Sequence, residues 1–503
     1  MLRKLLDSLP ADMAGTVKRS LYRVYLAVRP DEAEIWFRYG NQEWLAGHFD
    51  AARAAYRKAL EVDPDLRSEV VRQLILMRSL DEALVLSQPA LERGEGWALA
   101  SAARVLRLQG RSDEAWGLLA QAKGAVADDA SVLAEHGRIL SESGRFAEAL
   151  DRFERAQHAA GSPEAYWEER YWALLTMKRL AEAFLLAQFR KRKSRLTLPP
   201  HVSLWAPGEG FSDTPFVIAE QGLGDEIKFA TCYPDLLMDA PGAVIACHPQ
   251  LLALFERSFP AARFVPVHRL SAQQKQAGSL LDGRGRAALA ASKQCIVTAD
   301  LLGQYRTDLA SFEPRGPILV ADQALRRKWR ERLDALGPGP KIGLSWTTLG
   351  QHPERMTRYA ALGDWLPVLA MPGLTFVNLQ HGVHAAELDL AAAQGTPLHV
   401  WRDFDVKNDL DDLAALMAEL DLVISAHSMT KELAGAVGAR TWLVYHQADP
   451  QLAWRRRDDG SDLWFKGIEH IEHVVDRVPV SVTTAIAAVQ DRLARTFGPP
   501  KPQ

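Results

Sequence analysis

The sequence lacks the features that mark secreted, membrane-spanning or nucleic-acid-binding proteins. Only three cysteines occur among its 503 residues, Cys232, Cys247 and Cys295, and they have no metal-ligand spacing. We therefore expect reduced thiols in a cytoplasmic protein. A formal net charge of −3 argues against general nucleic-acid binding, which usually needs a strongly basic surface. No segment approaches about 18 uninterrupted apolar residues, and the first residues lack the apolar core of a signal peptide, so we expect no membrane span and no secretion signal.

An internal repeat fills the first part of the chain. A short motif that pairs an acidic residue with alanine recurs every 31 to 34 residues. Its alanines are Ala52, Ala83, Ala115, Ala149 and Ala183. The clearest unit, residues 33–64, resembles the tetratricopeptide (TPR) consensus. One such helical hairpin cannot bury its apolar face alone, so we expect a stack of TPR-like repeats over 31–195 rather than a plain helical bundle, preceded by a helical segment over 1–30. Such arrays present a groove to a peptide or protein, so a protein partner is implied.

The helical repeat pattern ends at a linker over 196–215 that is rich in Pro, Gly and Ser. Short apolar runs bounded by turn residues then alternate with helical stretches, which is typical of parallel sheets covered on both faces. The runs predicted as strands are 216–219, 243–247, 263–267, 295–299, 318–321, 342–346, 374–379, 397–400, 422–425 and 441–445. The hinge-like segment 337–340 divides them. We expect two Rossmann-like halves, 216–336 and 341–480, and then a closing helix and tail over 481–503.

The turn after the first of these strands, AEQGLGD (219–225), places two glycines and an acid at the start of a helix. Asp225 complements the helix dipole there, and Gly222 and Gly224 can be simple turn residues. The functional alternative is that the glycines clear space for a substrate and Asp225 is a general base facing a cleft. The spacing differs from the dinucleotide-binding fingerprint, which needs a third glycine.

A second turn, between the predicted strand 422–425 and a helix, contains His427, Ser428, Met429 and Thr430. The free N–H groups at the start of a helix form an anion site, and the two hydroxyl groups lie beside it. Glu432, in the first helical turn, can reach toward a ribose hydroxyl. The alternative is an ordinary helix capped by Ser428, with His427 as a loop histidine.

Two charged segments are interpreted as ordinary surface. Asp403-Phe404-Asp405 has the form of a metal-binding Asp-x-Asp motif but is expected to be a loop. The run 455–457 of three arginines is expected to be solvated and paired with the acids at 458–459.

Together, these segments resemble bacterial TPR-linked glycosyltransferases of the GT-B fold. The resemblance rests on EQGLGDEIKFA (220–230), KIGLSW (341–346), the pattern over 366–382 and the segment 421–438, in this order. The group is similar to heptosyltransferase-like enzymes and, more distantly, to O-linked N-acetylglucosamine transferases. The segment 354–360 looks most like flagellin-modifying members. The predicted fold class is α + α/β, with TPR-like helical repeats followed by a GT-B fold of two Rossmann-like halves.

The resemblance implies roles for particular residues. Asp225 would be the general base toward an acceptor hydroxyl, and the other residues would bind the nucleotide-sugar. Those residues are Gly222, Gly224, Ser345, Trp346, Thr347, Arg355, Arg358, Gln380, His427, Ser428, Met429, Thr430 and Glu432. Arg358 and Arg355 would neutralise the leaving phosphate, and Gln380 would end the strand that meets the nucleotide base. A single base without a covalent intermediate predicts inversion, and no metal is required.

The implied function is transfer of a sugar from a nucleotide-sugar, the co-substrate, to Ser or Thr of a protein held by the TPR groove. No bound cofactor is implied. If the flagellin-like resemblance holds, the acceptor is flagellin and the sugar is a nonulosonic acid such as pseudaminic acid. One alternative is a TPR adaptor with a non-catalytic GT-B module, because many relatives have Asp-Thr where this chain has His427-Ser428 and a His where it has Glu432. Another is a glycosyltransferase acting on lipopolysaccharide or polysaccharide.

Overall fold

The computed structural model describes most of the chain. The described residues are 3, 6, 15–190, 198–219, 221–268, 281–312, 316–348, 359–382, 385–395, 398–445, 452, 454–471 and 482–498. Their contacts form two compact units that divide between Met177 and Lys178. None of the helices described is long and apolar enough to cross a membrane.

The first unit is built from paired helices. They are α1 (Gly15–Val28), α2 (Ala33–Leu45), α3 (Phe49–Val62), α4 (Arg67–Leu76), α5 (Leu80–Glu92), α6 (Gly96–Leu108), α7 (Ser112–Leu119), α8 (Ala130–Glu142), α9 (Phe146–Ala159) and α10 (Trp167–Thr176). The helices of each pair pack together, as α2 does with α3 and α8 with α9, and consecutive pairs also touch. This stacking confirms the predicted helical repeats.

The repeat alanines explain why the helices approach so closely. All five have no exposed surface; they are Ala52, Ala83, Ala115, Ala149 and Ala183. Two glycines serve the same purpose against an aromatic ring. A methyl group on Gly40 would lie 2.6 Å from the Tyr56 ring, and one on Gly137 would lie 2.5 Å from the Phe153 ring. Small residues at these positions are therefore required by packing.

A left-handed residue begins each turn, five positions before each repeat alanine. These residues and their φ angles are Gly47 (81°), Arg78 (59°), Gly110 (79°), Gly144 (75°) and Lys178 (61°). Glycine adopts this conformation freely, whereas a side chain costs about 1 kcal/mol or more. Arg78 and Lys178 are thus the two strained members of the set.

The second unit contains two parallel sheets. The strands are β1 (Ser203–Leu204), β2 (Phe216–Ile218), β3 (Val244–Cys247), β4 (Arg263–Pro266), β5 (Gln294–Val297), β6 (Lys341–Ser345), β7 (Thr375–Asn378), β8 (Leu398–His399), β9 (Leu422–Ser425), β10 (Thr441–Leu443) and β11 (Ile468–His470). The helices are α11 (Leu180–Leu186), α12 (Leu223–Phe229), α13 (Tyr233–Asp239), α14 (Leu252–Ser258), α15 (Gly283–Ala291), α16 (Leu301–Tyr305), α17 (Gln323–Asp334), α18 (Leu366–Leu369), α19 (Ala385–Ala393), α20 (Leu410–Met417), α21 (Met429–Ala436) and α22 (Val482–Phe497).

The strand orders are those of Rossmann-like sheets. The first sheet runs β1-β5-β2-β3-β4 and the second runs β11-β10-β9-β6-β7-β8. In the second sheet, β6 to β11 take the doubly wound order 3-2-1-4-5-6, so the chain reverses direction between β6 and β9. In the first sheet the reversal lies between β2 and β5. The predicted class, TPR-like helical repeats followed by two Rossmann-like halves in a GT-B arrangement, is confirmed.

Three details differ from the sequence expectations. The run 318–321 is not a strand, because the backbone N–H groups of Ile318 and Leu319 both donate to the carbonyl of Ala436 at the end of α21. Two strands were not predicted, β1 inside the supposed linker and β11 near the end of the chain. Both are short edge strands whose register depends on pairing with β5 and β10 rather than on an apolar run.

Two helices pack outside the predicted domain to which they were assigned. Helix α11, placed by sequence in the repeats that end at 195, contacts α16 in the second unit. Helix α17, assigned to the half ending at 336, packs against α20 of the other half, where Trp329 stacks edge-on with Trp401 and Phe404. The closing helix α22 buries Ile486 and Leu493 in the core of the second sheet.

We expect Gly144→Ala to lower the free energy of unfolding of the first unit by about 1 kcal/mol, because its φ of 75° disfavours a side chain. No atom lies within 4 Å of the added methyl group, so the effect isolates the backbone. The matched control is Gly117→Ala inside α7, also without neighbours within 4 Å, which should stabilise by about 0.4–1 kcal/mol. Urea unfolding followed by circular dichroism measures the free energy of unfolding of both variants. If the two substitutions change it in the same direction, the left-handed turn at Gly144 is contradicted.

Candidate functional site

The carboxyl ends of β6 and β9 meet at the reversal point of the second sheet. Ser345 and Ser425 pair in register there, and neither has exposed surface. Ser345 Oγ donates to Gln380 Oε1 at 3.1 Å, and the Thr347 backbone N–H donates to the same oxygen at 3.0 Å. Gln380 also donates to the carbonyl of His381 at 2.9 Å. The Gln380 side chain thus joins β6 to β7, which makes it a support for this edge of the sheet.

Trp346 does not face this edge. It is 1% exposed and belongs to the apolar core of the second sheet. Among the predicted residues that follow β6, Ser345 and Thr347 meet at Gln380, whereas the indole of Trp346 points into the core. Arg355 and Arg358 lie outside the described residues.

A pocket of about 590 Å³ opens beside Gln380, at the carboxyl ends of β7 and β8. Asn378, His381, Trp401 and Lys407 contribute to its walls. Its position along the strand ends is the one at which open α/β sheets bind ligands.

The Asp403-Phe404-Asp405 segment at the rim of this pocket is a structured loop, as the sequence interpretation expected. Asp403 pairs with Arg332 at 2.7 Å. Asp405 accepts hydrogen bonds from the backbone N–H groups of Lys407 and Asn408 at 2.9 and 3.2 Å. Both carboxylates therefore have protein partners.

The turn before α21 leaves the first helical N–H groups without a side-chain cap among the described residues. Ser428 occupies the N-cap position with φ −142°, but its hydroxyl lies 3.4 Å from Ser425 Oγ and does not cap the helix. The Thr430 hydroxyl is buried and has no hydrogen-bond partner within the described ranges. The simple Ser-cap interpretation is therefore wrong, and uncapped N–H groups at a helix start are groups that can bind an anion.

Glu432 is not free to contact a ribose. Arg455 donates to both of its carboxylate oxygens, at 2.7 and 3.1 Å, and Lys431 Nζ lies 2.8 Å from Oε1 without the alignment of a hydrogen bond. Burial opposes the charge, but Arg455 and Lys431 outweigh it and hold the pKa of Glu432 well below its ordinary value. The expected ribose ligand is therefore the centre of a buried ion-pair cluster.

Arg455 also corrects the expectation of a solvated arginine run. Its side chain is 2% exposed, and it donates to Asp462 at 3.1 Å through both Nε and Nη2. His470 Nε2 lies 3.0 Å from the same carboxylate. The sequence shows three adjacent arginines and two adjacent acids, but only the folded chain brings Arg455 to Glu432 and Asp462, which lie 23 and 7 positions away along the chain.

Two further groups at the start of α21, Lys431 and His427, have lowered pKa values. Burial, followed by repulsion from Arg455, lowers the pKa of Lys431 to about 8. Burial, followed by repulsion from Lys431 and Arg455, holds the pKa of His427 well below its ordinary value. At neutral pH the site therefore presents a neutral imidazole beside two cations.

The other half contributes Asp225 to the same place, because α12 packs directly against α21. A methyl group on Gly224 would lie 3.2 Å from Met429 Cα and 3.4 Å from Glu432 Cγ. The close approach that Gly224 permits is thus to a helix, and not to a substrate as the functional interpretation supposed. Gly222 is exposed, and a methyl group on it would lie 3.8 Å from the Asp225 carboxylate.

The Asp225 carboxylate lies at the edge of this helix contact. Its side chain is 36% exposed and accepts a hydrogen bond from Lys228 Nζ at 2.8 Å. The Gln221 side-chain amide, oriented with its nitrogen inward, donates to the second oxygen at 3.2 Å. Asp225 is therefore anchored by its own turn while one face remains open to solvent.

Comparison with known proteins shows a matching repeat family and a related protein. Residues 33–66 match the tetratricopeptide repeat family. The chain is 33% identical over 306 residues to Protein FlbA of Caulobacter vibrioides, covering 58% of this chain and 50% of that protein, so the match spans about half the length of this curated relative.

Two solved structures also match this chain. A glycosyl transferase family 9 protein from Veillonella parvula is 14% identical, with a TM-score of 0.37 over 58% of this chain and 100% of its own. An O-GlcNAc transferase from Thermobaculum terrenum is 13% identical, with a TM-score of 0.29 over 92% of this chain and 91% of its own. At TM-scores this low, the fold assignment rests on the observed strand orders and not on these neighbours.

We expect Gly224→Ala to destabilise the second unit by about 1–3 kcal/mol, because the methyl group would lie 3.2 Å from Met429 Cα and the packed backbone of α21 would have to shift. Gly222→Ala, two positions earlier, adds its methyl group in open space and should change stability by less than about 0.5 kcal/mol. Thermal unfolding of the two variants checks this difference. If both variants lose the same amount of thermal stability, α12 and α21 are not in tight contact at Gly224.

We expect the stability conferred by His427 to fall with acidification. Its folded pKa is lowered, so the unfolded chain binds the proton first below the ordinary pKa of 6.5. Stability therefore drops as pH falls below that value, by up to about 1.4 kcal/mol per pH unit for this group. His427→Gln should reduce the change in melting temperature between about pH 7.5 and about pH 5.5, whereas His268→Gln, at an exposed position, should leave it unaltered. An unchanged pH dependence in His427→Gln would mean that this imidazole is not buried.

Proposed function

We propose that the protein is a glycosyltransferase that moves a sugar from a nucleotide-sugar to a hydroxyl group of an acceptor. One observation carries the proposal. The uncapped start of α21 lies at the reversal point of the second sheet and is in contact with the helix of the other half that carries Asp225. Nucleotide ligands bind at such reversal points, so a donor and a base from opposite halves would meet at one place.

The donor would lie along the carboxyl ends of the second sheet. Its nucleoside would occupy the 590 Å³ pocket beside Gln380, and its phosphate would lie at the turn from His427 to Thr430. The N–H groups of the first helical turn, the unpartnered Thr430 hydroxyl and the Lys431 ammonium would then face the negative charge that develops on the leaving group. Glu432 would support this turn through Arg455 instead of touching the ribose.

The acceptor hydroxyl would lose its proton to Asp225. The two Asp225 oxygens each accept one hydrogen bond, so further lone pairs remain on this partly exposed carboxylate, as a general base requires. Direct attack with a single base would invert the configuration at the anomeric carbon. Since helix N–H groups and cations would neutralise the phosphate, the mechanism needs no metal ion.

The helical repeats would select a protein acceptor. Arrays of this kind bind peptides and proteins, and a repeat unit fused to the catalytic unit favours Ser or Thr of a protein over a lipid. Flagellin and a nonulosonic acid such as pseudaminic acid are the acceptor and sugar that we propose to test first, with the reaction in the cytoplasm. The small number of cysteines, all three of them buried, agrees with a reducing compartment.

We expect Asp225→Asn to lower transfer by at least about a hundredfold, because the amide cannot take the proton. The matched control is Asp50→Asn, which removes another acid in the first turn of a helix with a basic partner three residues later, far along the chain in α3. Intact-mass analysis of candidate acceptors, incubated with the full chain and a panel of nucleotide-sugars, measures the transfer. Undiminished modification by Asp225→Asn would refute its role as base, and no modification of any acceptor that the protein binds would favour the adaptor function instead.

A further inference from the structure

The loop from Trp454 to Asp462 is held from two directions. On one side, Lys178 Nζ donates to the backbone carbonyl of Trp454 and, at 3.3 Å, to that of Arg456. These two residues flank Arg455, so the amine fixes the backbone on both sides of the guanidinium.

On the other side, the Arg455 guanidinium reaches Glu432 and Asp462 with two hydrogen bonds each. Glu432 lies in the first turn of α21, and Asp462 lies at the far end of the loop. Bidentate contacts fix the orientation of a carboxylate as well as its distance. The position of the first turn of α21 therefore depends on where the loop holds Arg455.

Lys178 keeps a side chain at a place where most repeats have none. Its φ of 61° is left-handed, and the equivalent turn residues Gly47, Gly110 and Gly144 are glycines. Glycine would relieve the backbone strain at this position, but it would also remove the amine from the two carbonyls. Arg78 is equally strained, so what distinguishes Lys178 is that its amine bonds to both carbonyls of the loop.

We propose that Lys178 and Arg455 form a clamp that positions the first turn of α21. Lys178 acts through the backbone of the loop, and Arg455 acts through Glu432, so both are positioning residues that do not touch the substrate. The predicted effect of the clamp on sugar transfer rests on the proposed function, whereas its effect on the order of α21 does not.

Lys178→Gly in the full chain tests the clamp with little risk of unfolding, because glycine suits the left-handed φ. We expect amide hydrogen exchange in 429–436 and 454–463 to become about tenfold faster, since two charge-assisted hydrogen bonds to the loop are lost. The matched control is Arg78→Gly, which relieves the same strain in another repeat and should leave exchange in both segments unchanged. Unchanged exchange in Lys178→Gly would overturn the proposal.

Arg455 provides the second arm of the test. Arg455→Met would leave two carboxylates buried without their shared cation and is expected to unfold the second unit, so Arg455→Lys is the informative variant. Lysine keeps the charge but cannot make bidentate contacts, and exchange in 429–436 should accelerate while the unit stays folded. Exchange as slow as in the unsubstituted chain would show that guanidinium geometry is not what holds α21.

Transfer assays then separate this inference from the proposed function. If sugar transfer is found, Lys178→Gly should lower it about tenfold while Arg78→Gly leaves it intact. Full transfer by Lys178→Gly with accelerated exchange would refute the link between the clamp and catalysis. If the unsubstituted chain transfers no sugar, the proposed function fails, and the exchange data still decide whether the clamp exists.

Discussion

The guanidinium of Arg455 is the group on which the start of α21 depends. It lies between two buried carboxylates, Glu432 and Asp462, with the ammonium of Lys431 alongside. Charges this deeply buried are tolerated only when they are paired and hydrogen-bonded, and here two acids are balanced by two cations. Burial, followed by repulsion from these two cations, keeps His427 neutral by holding its pKa well below the ordinary value. The chemistry available at the turn before α21 follows from that arrangement.

The second constraint is the absence of a side chain at Gly224. Because nothing projects from that position, α12 can lie against Met429 and the stem of Glu432, and the two Rossmann-like halves meet at the ends of their strands. Asp225, the next residue, is thereby carried to the edge of the contact with one face exposed. Gly224 thus allows the two helices to pack, whereas Asp225 lies at the exposed edge of that helix contact.

The parts of this molecule that sequence reasoning predicted are those encoded by local periodicity. The repeat alanines were identified by spacing alone, and all five are buried, because helical hairpins bury the same position in every unit. The long central strands were predicted as continuous apolar runs for a similar reason, since both faces of a parallel sheet are covered. Sequence reasoning did not predict the edge strands β1 and β11. Two or three residues are too few to show an apolar pattern, and the register of these strands depends on the neighbouring strands. Residues 318–321 show the opposite error. They form an apolar run that predicts a strand, but their first backbone N–H groups donate to the carbonyl at the end of α21 instead of to a neighbouring strand.

By itself, the sequence determined the order of the repeats and sheets and the two turns, 219–225 and 426–432, at which chemistry is expected. Both turns follow buried strands, and a strand that ends at a sheet edge delivers the next residues to a predictable place. The tertiary structure alone decided what those residues contact. Glu432 was assigned to a ribose and proved to be held by Arg455, and Gly224 was assigned to a substrate and proved to contact α21. The physical reason is that a buried charge is paired, and the space beside a glycine is filled, by residues from other parts of the chain. No local sequence pattern specifies those residues.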